Sequence, residues 1–200
     1  MRNLTEIANK HHADKGTEWF EKHSYTLTYE KYVPSEGPVK LLEIGIWHGD
    51  SLRMWKEYNP EMKLWGMDIN DCSSFFDKSI CEKVYILDQT NREHLNSMIP
   101  DMEPLDFIVD DGAHQMPHQQ VSLFVLLKAL KSGGIYFIED LHTCPLYPAA
   151  ERTDFLLRNW ETTNSFASPH LSYEENKFVS ENIKSVEFFN NDKLVKIVKY

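Results

Sequence analysis

The stretch VKLLEIGIWHGDSLRMWKEY, Val39 to Tyr58, changes its period halfway. From Val39 to Ile46 it is a short apolar run, the pattern of a strand buried on both faces. From Asp50 onward Leu52, Trp55 and Tyr58 fall on one helical face. Gly45 and Gly49 stand at the join, where absent Cβ atoms let backbone amides at a helix N-terminus approach a ligand. The spacing is not the dinucleotide fingerprint G-x-G-x-x-G, because the two glycines are four residues apart. A tight turn alone would explain them equally well. Glu43 is foreign to an apolar strand, and its carboxylate either faces a ligand or holds the loop.

The same alternation continues along the chain. KLWGMDIN (Lys63–Asn70), KVYILDQT (Lys83–Thr90), LDFIVDD (Leu105–Asp111) and IYFIED (Ile135–Asp140) read as further strands. Between them SSFFDKSI (73–80), NREHLNSMI (Asn91–Ile99) and QQVSLFVLLKAL (Gln119–Leu130) read as helices, with SGG (Ser132–Gly134) ending the last one. This rhythm predicts an α/β fold with a mostly parallel sheet and helices on both faces. IKSVEFFN, NNDK and LVKIVKY close the chain as an antiparallel hairpin. One domain of 200 residues is expected, in four segments. Residues 1–37 form a polar, aromatic-rich lid, and 38–140 the ligand-binding core. Residues 141–180 are a substrate-side insertion with a helix near ERTDFLLRNW, and 181–200 the hairpin.

Composition narrows the function classes. A net charge of −10 argues against a general grip on nucleic-acid phosphates. Lys193, Lys196 and Lys199 are the one basic hint, and the last two read as the solvated face of an edge strand. The longest apolar run contains Lys128 and is too short to span a bilayer; the N-terminus shows no signal-peptide core. Cys72, Cys81 and Cys144 have no zinc spacing and fit reduced thiols in a cytoplasmic protein. Neither nucleic acid nor membrane is expected as a partner; a homo-oligomer is left open.

Polar residues gather at the carboxyl ends of successive strands, the rim where open parallel sheets bind ligands. Asp68 ends the second strand, at the place where an acidic residue holds ribose hydroxyls. Asp88 and Gln89 end the third, and an amide there can meet an adenine edge. Taken alone, Asp68 is more readily a turn or cap residue, and the signal at Asp88 and Gln89 is weak too. IVDDGAHQ (Ile108–Gln115) and IEDLHT (Ile138–Thr143) end the fourth and fifth strands in acidic pairs. Neighbouring parallel strands lie about 4.8 Å apart, so these carboxylates come within range of one shared cation. Buried together without one, some would be driven to protonate. Hard oxygen ligands favour Mg²⁺, Mn²⁺ or Ca²⁺ over zinc.

LLEIGIWHGDSLRMW, WGMDIN, LDQT, DFIVDDGAHQ and GGIYFIEDLHT together resemble the Rossmann-like class I S-adenosylmethionine-dependent methyltransferases. Within these, the pattern is similar to the metal-dependent sugar O-methyltransferases of the mycinamicin and macrocin type. The early segment ADKGTEW…HSYTLTYEKYV is similar to the cofactor-covering motif of the same group. The resemblance spans roughly Ala13 to Thr143. It implies S-adenosylmethionine held by Tyr25, Thr26, Glu43, Gly45, Gly49, Ser51, Asp68, Asp88, Gln89 and Asp110. It further implies Mg²⁺ or Mn²⁺ on Asp111, Glu139 and Asp140, with His114 as general base beside Asp111.

Magnesium takes about six oxygens, so three carboxylates leave room for two vicinal hydroxyls and a water. That suits a small-molecule glycoside or glycan acceptor such as a deoxyhexose; a catechol fits the same count. His118 and His142 are expected as substrate contacts or a relay, against the plain reading of solvent-facing histidines. Trp47 either lines the cofactor or packs on the following helix. An NAD-dependent oxidoreductase is disfavoured by the missing glycine spacing, and a non-catalytic binding module by the acidic motifs beside His114.

Overall fold

The computed structural model describes residues 2–19, 22–72, 74–102 and 104–200. Phe20 and Glu21 of the aromatic patch, and Ser73 of the expected helix at 73–80, lie outside them. Seven strands form one sheet: β1 (Lys40–Ile44), β2 (Lys63–Asp68), β3 (Lys83–Ile86), β4 (Leu105–Asp110), β5 (Leu130–Ile138), β6 (Ile183–Phe189) and β7 (Leu194–Lys199). Their order is β3-β2-β1-β4-β5-β7-β6. The first five run parallel, and β7 pairs antiparallel with both β5 and β6. The chain steps outward from β1 to β3 and then returns to lay β4 on the other flank of β1. The reversal opens a crevice beyond the ends of β1 and β4, the topological switch point of an open α/β sheet.

Each sheet face has its own core. On one side Leu42, Ile44, Ile108, Tyr136 and Ile138 pack with α4 (Arg92–Met98) and α5 (Met116–Leu126). Leu156, Leu157 and Trp160 of α6 (Thr153–Thr163) and Val179 of α7 (Tyr173–Asn182) join that core. On the other side Leu41, Phe107, Val109 and Phe137 pack with α1 (Leu4–Lys10), α2 (Thr26–Tyr29) and α3 (Asp50–Tyr58). The α3 helix shows why the opening stretch decides the fold. Leu52, Trp55 and Tyr58 are all buried, as their spacing requires. Gly49, at φ 75, caps its N-terminus in the left-handed region.

Four local expectations are corrected. SGG does not end α5: the helix tightens into a 3₁₀ turn at Leu127–Ala129, and Ser132–Gly134 lies inside β5. Gly133 there adopts φ 75 where the β4–β5 register shifts, so the glycines serve a bulge. The helix at 73–80 reduces to a 3₁₀ turn, Lys78–Ile80. Next, β7 is not an edge strand, because β6 covers it. Lys196 is buried, donates to Glu187 at 2.5 Å and sits 4.0 Å above the Tyr32 ring. Finally, much of 141–180 buttresses α5 and β6 rather than roofing the crevice, and it contains most of α7, which the strand and helix pattern had left unassigned. That helix starts in a capping box in which Ser172 and Glu175 satisfy each other's backbone amides.

Candidate active site

The pleat decides which carboxylates meet. Side chains alternate across a strand, so Glu43 points to the α1–α3 face while Leu42 and Ile44 point to the other. Glu43 is in register with Val109, and Val109 with Phe137. One pleat further, Asp111 and Glu139 therefore project onto the face that carries Glu43. Asp110 projects the opposite way. It accepts hydrogen bonds from Ser122 Oγ (2.7 Å), Tyr136 Oη (3.1 Å) and Gln89 Nε2 (3.1 Å). The expectation that Asp110 meets the cofactor is thus corrected: its oxygens are consumed in the interior, tying β4 to α5 and β5. Burial raises its pKa, and those donors offset the rise.

Lys15 enters the face shared by Glu43, Asp111 and Glu139. It is fully buried, and its Nζ donates to Asp111 Oδ2, lies 3.1 Å from Glu139 Oε2 and 3.5 Å from Glu43 Oε1. Tyr29 donates to the other Glu139 oxygen, and Tyr25 Oη donates to Asp140 Oδ1 at 2.6 Å. Burial pushes Glu43 up to about 7 and Asp111 up to about 6, with the Lys15 charge opposing both shifts. Burial, then the nearby Asp111, also raises Glu139 well above the carboxylate range. Asp140 goes the other way: although burial opposes it, the Tyr25 hydrogen bond and the flanking histidines hold its carboxyl below the usual range.

Asp140 adopts φ 56 just beyond β5, and this left-handed turn swings its carboxylate back toward Asp111. His114, at φ 53, completes the group. Its Nε2 lies 3.5 Å from Asp140 Oδ2 and 3.8 Å from Asp111 Oδ1. Among the described residues these three offer ligand atoms within 4.8 Å of one another, a spacing one metal ion can span. Each aspartate has one oxygen engaged, by Lys15 or Tyr25, and one turned to His114. Glu139, expected as a third ligand, spends both oxygens on Lys15 and Tyr29.

A cavity of about 320 Å³ opens in front of this group. Gly45, Met67, Asp68, Ile69, Leu87, Asp88 and Gln89 line it, together with His118. Asp68 holds the glycine loop, accepting from the amides of Ile46 and Trp47, each at 3.1 Å. Gln89 accepts from Ala113 N at 2.9 Å while donating to Asp110, so its amide braces the wall. Gly45 is required where it stands: at φ 81 its Cβ would lie 2.0 Å from the Asp111 carbonyl oxygen. A second cavity of about 590 Å³ continues over the loop, lined by Lys15, Trp19, Trp47, His48, Ser51 and Phe75. Trp47 is exposed and stacks on His48 between the two cavities, so it lines the trough rather than packing on α3.

Thr26 does not face the trough; its hydroxyl is 2.8 Å from that of Thr5. His142 borders the site, with Nδ1 3.7 Å from Asp140 Oδ1. Lys15, Tyr29 and His23 are site residues the motifs did not single out. Their signal lay in the polarity of a segment whose aromatics had to be buried somewhere.

The switch-point crevice, the glycine turn and the acidic strand ends are those of the class I S-adenosylmethionine-dependent methyltransferase fold, which this chain has. Its homologues are sugar O-methyltransferases of the tetracenomycin, mycinamicin and macrocin type. The chain is 33% identical over 162 residues to a Streptomyces olivaceus enzyme, 8-demethyl-8-(2-methoxy-alpha-L-rhamnosyl)-tetracenomycin-C 3'-O-methyltransferase, covering 74% of this chain and 39% of the relative. It is 32% identical over 149 residues to the mycinamicin VI 2''-O-methyltransferase of Micromonospora griseorubida, covering 70% and 36%. The solved MycE methyltransferase, in complex with Mg, S-adenosylhomocysteine and mycinamycin VI, superposes with a TM-score of 0.79 at 26% identity. That match covers 99% of this chain and 53% of MycE. The chain thus spans about two fifths of the length of these curated relatives. No family model matches it. Among the described residues, no helix is long and apolar enough to cross a membrane.

Proposed function

We propose that this chain carries out S-adenosylmethionine-dependent, divalent-cation-dependent O-methylation of a sugar hydroxyl, with a deoxyhexose glycoside as the acceptor class. The observation that carries the reading is the group Asp111, His114 and Asp140 at the mouth of the cavity beside Gly45. The donor set fits a hard divalent cation, since Asp111 Oδ1 and Asp140 Oδ2 face one point and their other oxygens are occupied. When bound, S-adenosylmethionine supplies an electrophilic methyl group and the cation supplies Lewis acidity toward the acceptor oxygen.

The protein's own residues then have separable tasks. Asp111 and Asp140 hold the cation, with Glu139 fixed behind them by Lys15 and Tyr29. His114 Nε2 accepts the acceptor's hydroxyl proton. Asp68, Asp88 and the apolar wall of Met67, Ile69 and Leu87 receive the nucleoside portion, and Gly45 and Ser51 the amino-acid portion. Glu43 acts through Lys15. His142 stands at the acceptor side, beside Asp140, whereas His118, expected there too, lines the cavity wall near Asp88. Much of the rate gain is expected from orientation, because the trough aligns two reactants that would otherwise collide at random.

The named substrates of the relatives, rhamnosyl sugars among them, support the deoxyhexose class. A glycan-biosynthetic role in the cytoplasm, without a membrane partner, belongs to this proposal, and the acidic net charge supports a role without nucleic-acid partners. The test is transfer of a labelled methyl group to a panel of deoxyhexose glycosides and nucleotide sugars, with Mg²⁺ and with chelator. Transfer to a sugar that chelator abolishes is the expected result. Transfer confined to catechols, or unaffected by chelator, would overturn the proposal.

A further inference from the structure

Lys15 is costly to place where it is, fully buried beneath the sheet's carboxyl rim. An ammonium taken fully out of water is retained only when opposite charge surrounds it. Its position is fixed by the backbone and is not the chance reach of a long side chain. Its carbonyl accepts from Thr26 N at 3.1 Å, and Ser24 N donates to the adjacent Gly16 carbonyl at 2.9 Å. Ala13 N is bonded to Ala8 O at 2.9 Å on the other side. The strap between α1 and α2 therefore delivers a cation into the protein interior by construction.

Three carboxylates receive it: Glu43, Asp111 and Glu139. Asp111 is divided between two neighbours, with Oδ2 on Lys15 and Oδ1 toward His114 and Asp140. We propose that Lys15 is the site's resident counter-ion. Its ammonium occupies the inner half of the carboxylate cluster, Glu43, Glu139 and one oxygen of Asp111, and so confines a divalent cation to the outer half beside His114. Lys15 is a positioning residue on this account, and the account rests on the proposed divalent-cation reading of the outer half. It explains why Glu139, at the end of a strand among metal-ligand candidates, is turned away from them. It also explains how so many acidic groups stay together in the metal-free protein.

The test combines Lys15→Met, which keeps the length and removes the charge, with Glu43→Gln. Free Mn²⁺ is followed by electron paramagnetic resonance, and melting of the metal-free proteins by circular dichroism. Lys15→Met should melt lower than wild type without metal. It should bind Mn²⁺ more tightly, on the order of tenfold, because a nearby positive charge no longer opposes the ion. Adding Glu43→Gln should raise the metal-free melting temperature above that of Lys15→Met alone, because one surplus buried charge is gone. A lysine that merely filled space would give the reverse, the double variant melting at or below the single one. That result, or unchanged or weaker Mn²⁺ binding by Lys15→Met, overturns the proposal. If Lys15→Met does not fold without metal, recovery of folding by the second substitution supports the assignment and its failure overturns it. Should wild type bind no Mn²⁺ at all, the divalent-cation reading falls, and the metal-free comparison alone decides the role of Lys15.

Discussion

Adjacent aspartates illustrate how position along a strand assigns chemistry to a residue. Asp110 and Asp111 are identical side chains on successive residues, and they face opposite sides of the sheet. Asp110 is saturated by Ser122, Tyr136 and Gln89; Asp111 is shared between Lys15 and the point beside His114. Asp111→Asn and His114→Ala are therefore expected to abolish methyl transfer while binding of S-adenosylhomocysteine, followed by calorimetry, stays within about threefold of wild type. Loss of cofactor binding in His114→Ala would contradict the separation of tasks. The acidic pairs and His114 stood out in the sequence as strand-end residues. Which aspartate faces which side was not legible there, since it depends on the exact residue where the strand stops being a strand.

At the scale of elements, the opening stretch carried most of the fold. A strand, a glycine turn and a helix were read at β1 and α3, and alternation located the remaining parallel strands. Two elements escaped for physical reasons. SGG resembles a helix stop, yet the same conformational freedom serves a bulge, and only the register with β4 distinguishes them. The α7 helix was left unassigned: its first turn reads as a polar loop, and Val179, further along, is the residue that packing buries. Gly45 joins β1 to the trough at φ 81, with the Asp111 carbonyl where a Cβ would go. Gly45→Ala should cost the protein its S-adenosylhomocysteine affinity by tenfold or more in calorimetry, and about 1–3 kcal/mol of stability from backbone strain in denaturant melts. A variant that binds as wild type does would show that the loop tolerates displacement.

For the molecule as a whole, the buried carboxylates make stability depend on protonation. Glu43 is pushed up to about 7 and Asp111 up to about 6, against 4.5 and 3.8 for the free groups. The folded state therefore holds protons that the unfolded chain has already lost, and metal-free stability falls as pH rises through this window. Thermal melts in chelator are expected to shift downward from about pH 5 to about pH 7, and added Mg²⁺ to flatten that slope; a metal-free melting temperature that rises with pH would contradict it. Net charge, fold class and the glycine turn were all readable from composition and pattern. The N-terminal strap was read only as a covering segment, because nothing local shows that Lys15, Tyr25 and Tyr29 end on four carboxylates, Glu43, Asp111, Glu139 and Asp140, from three distant strands. That attachment couples two equilibria. The strap and the cation share Asp111 and Asp140, so whatever factor the cation contributes to seating the strap, a seated strap must return to cation affinity. Because the seated strap brings the Lys15 ammonium against Asp111, an acceptor that presses the strap home would loosen its own enzyme's hold on the ion, an antagonism arising from shared ligands with no second conformation of the sheet.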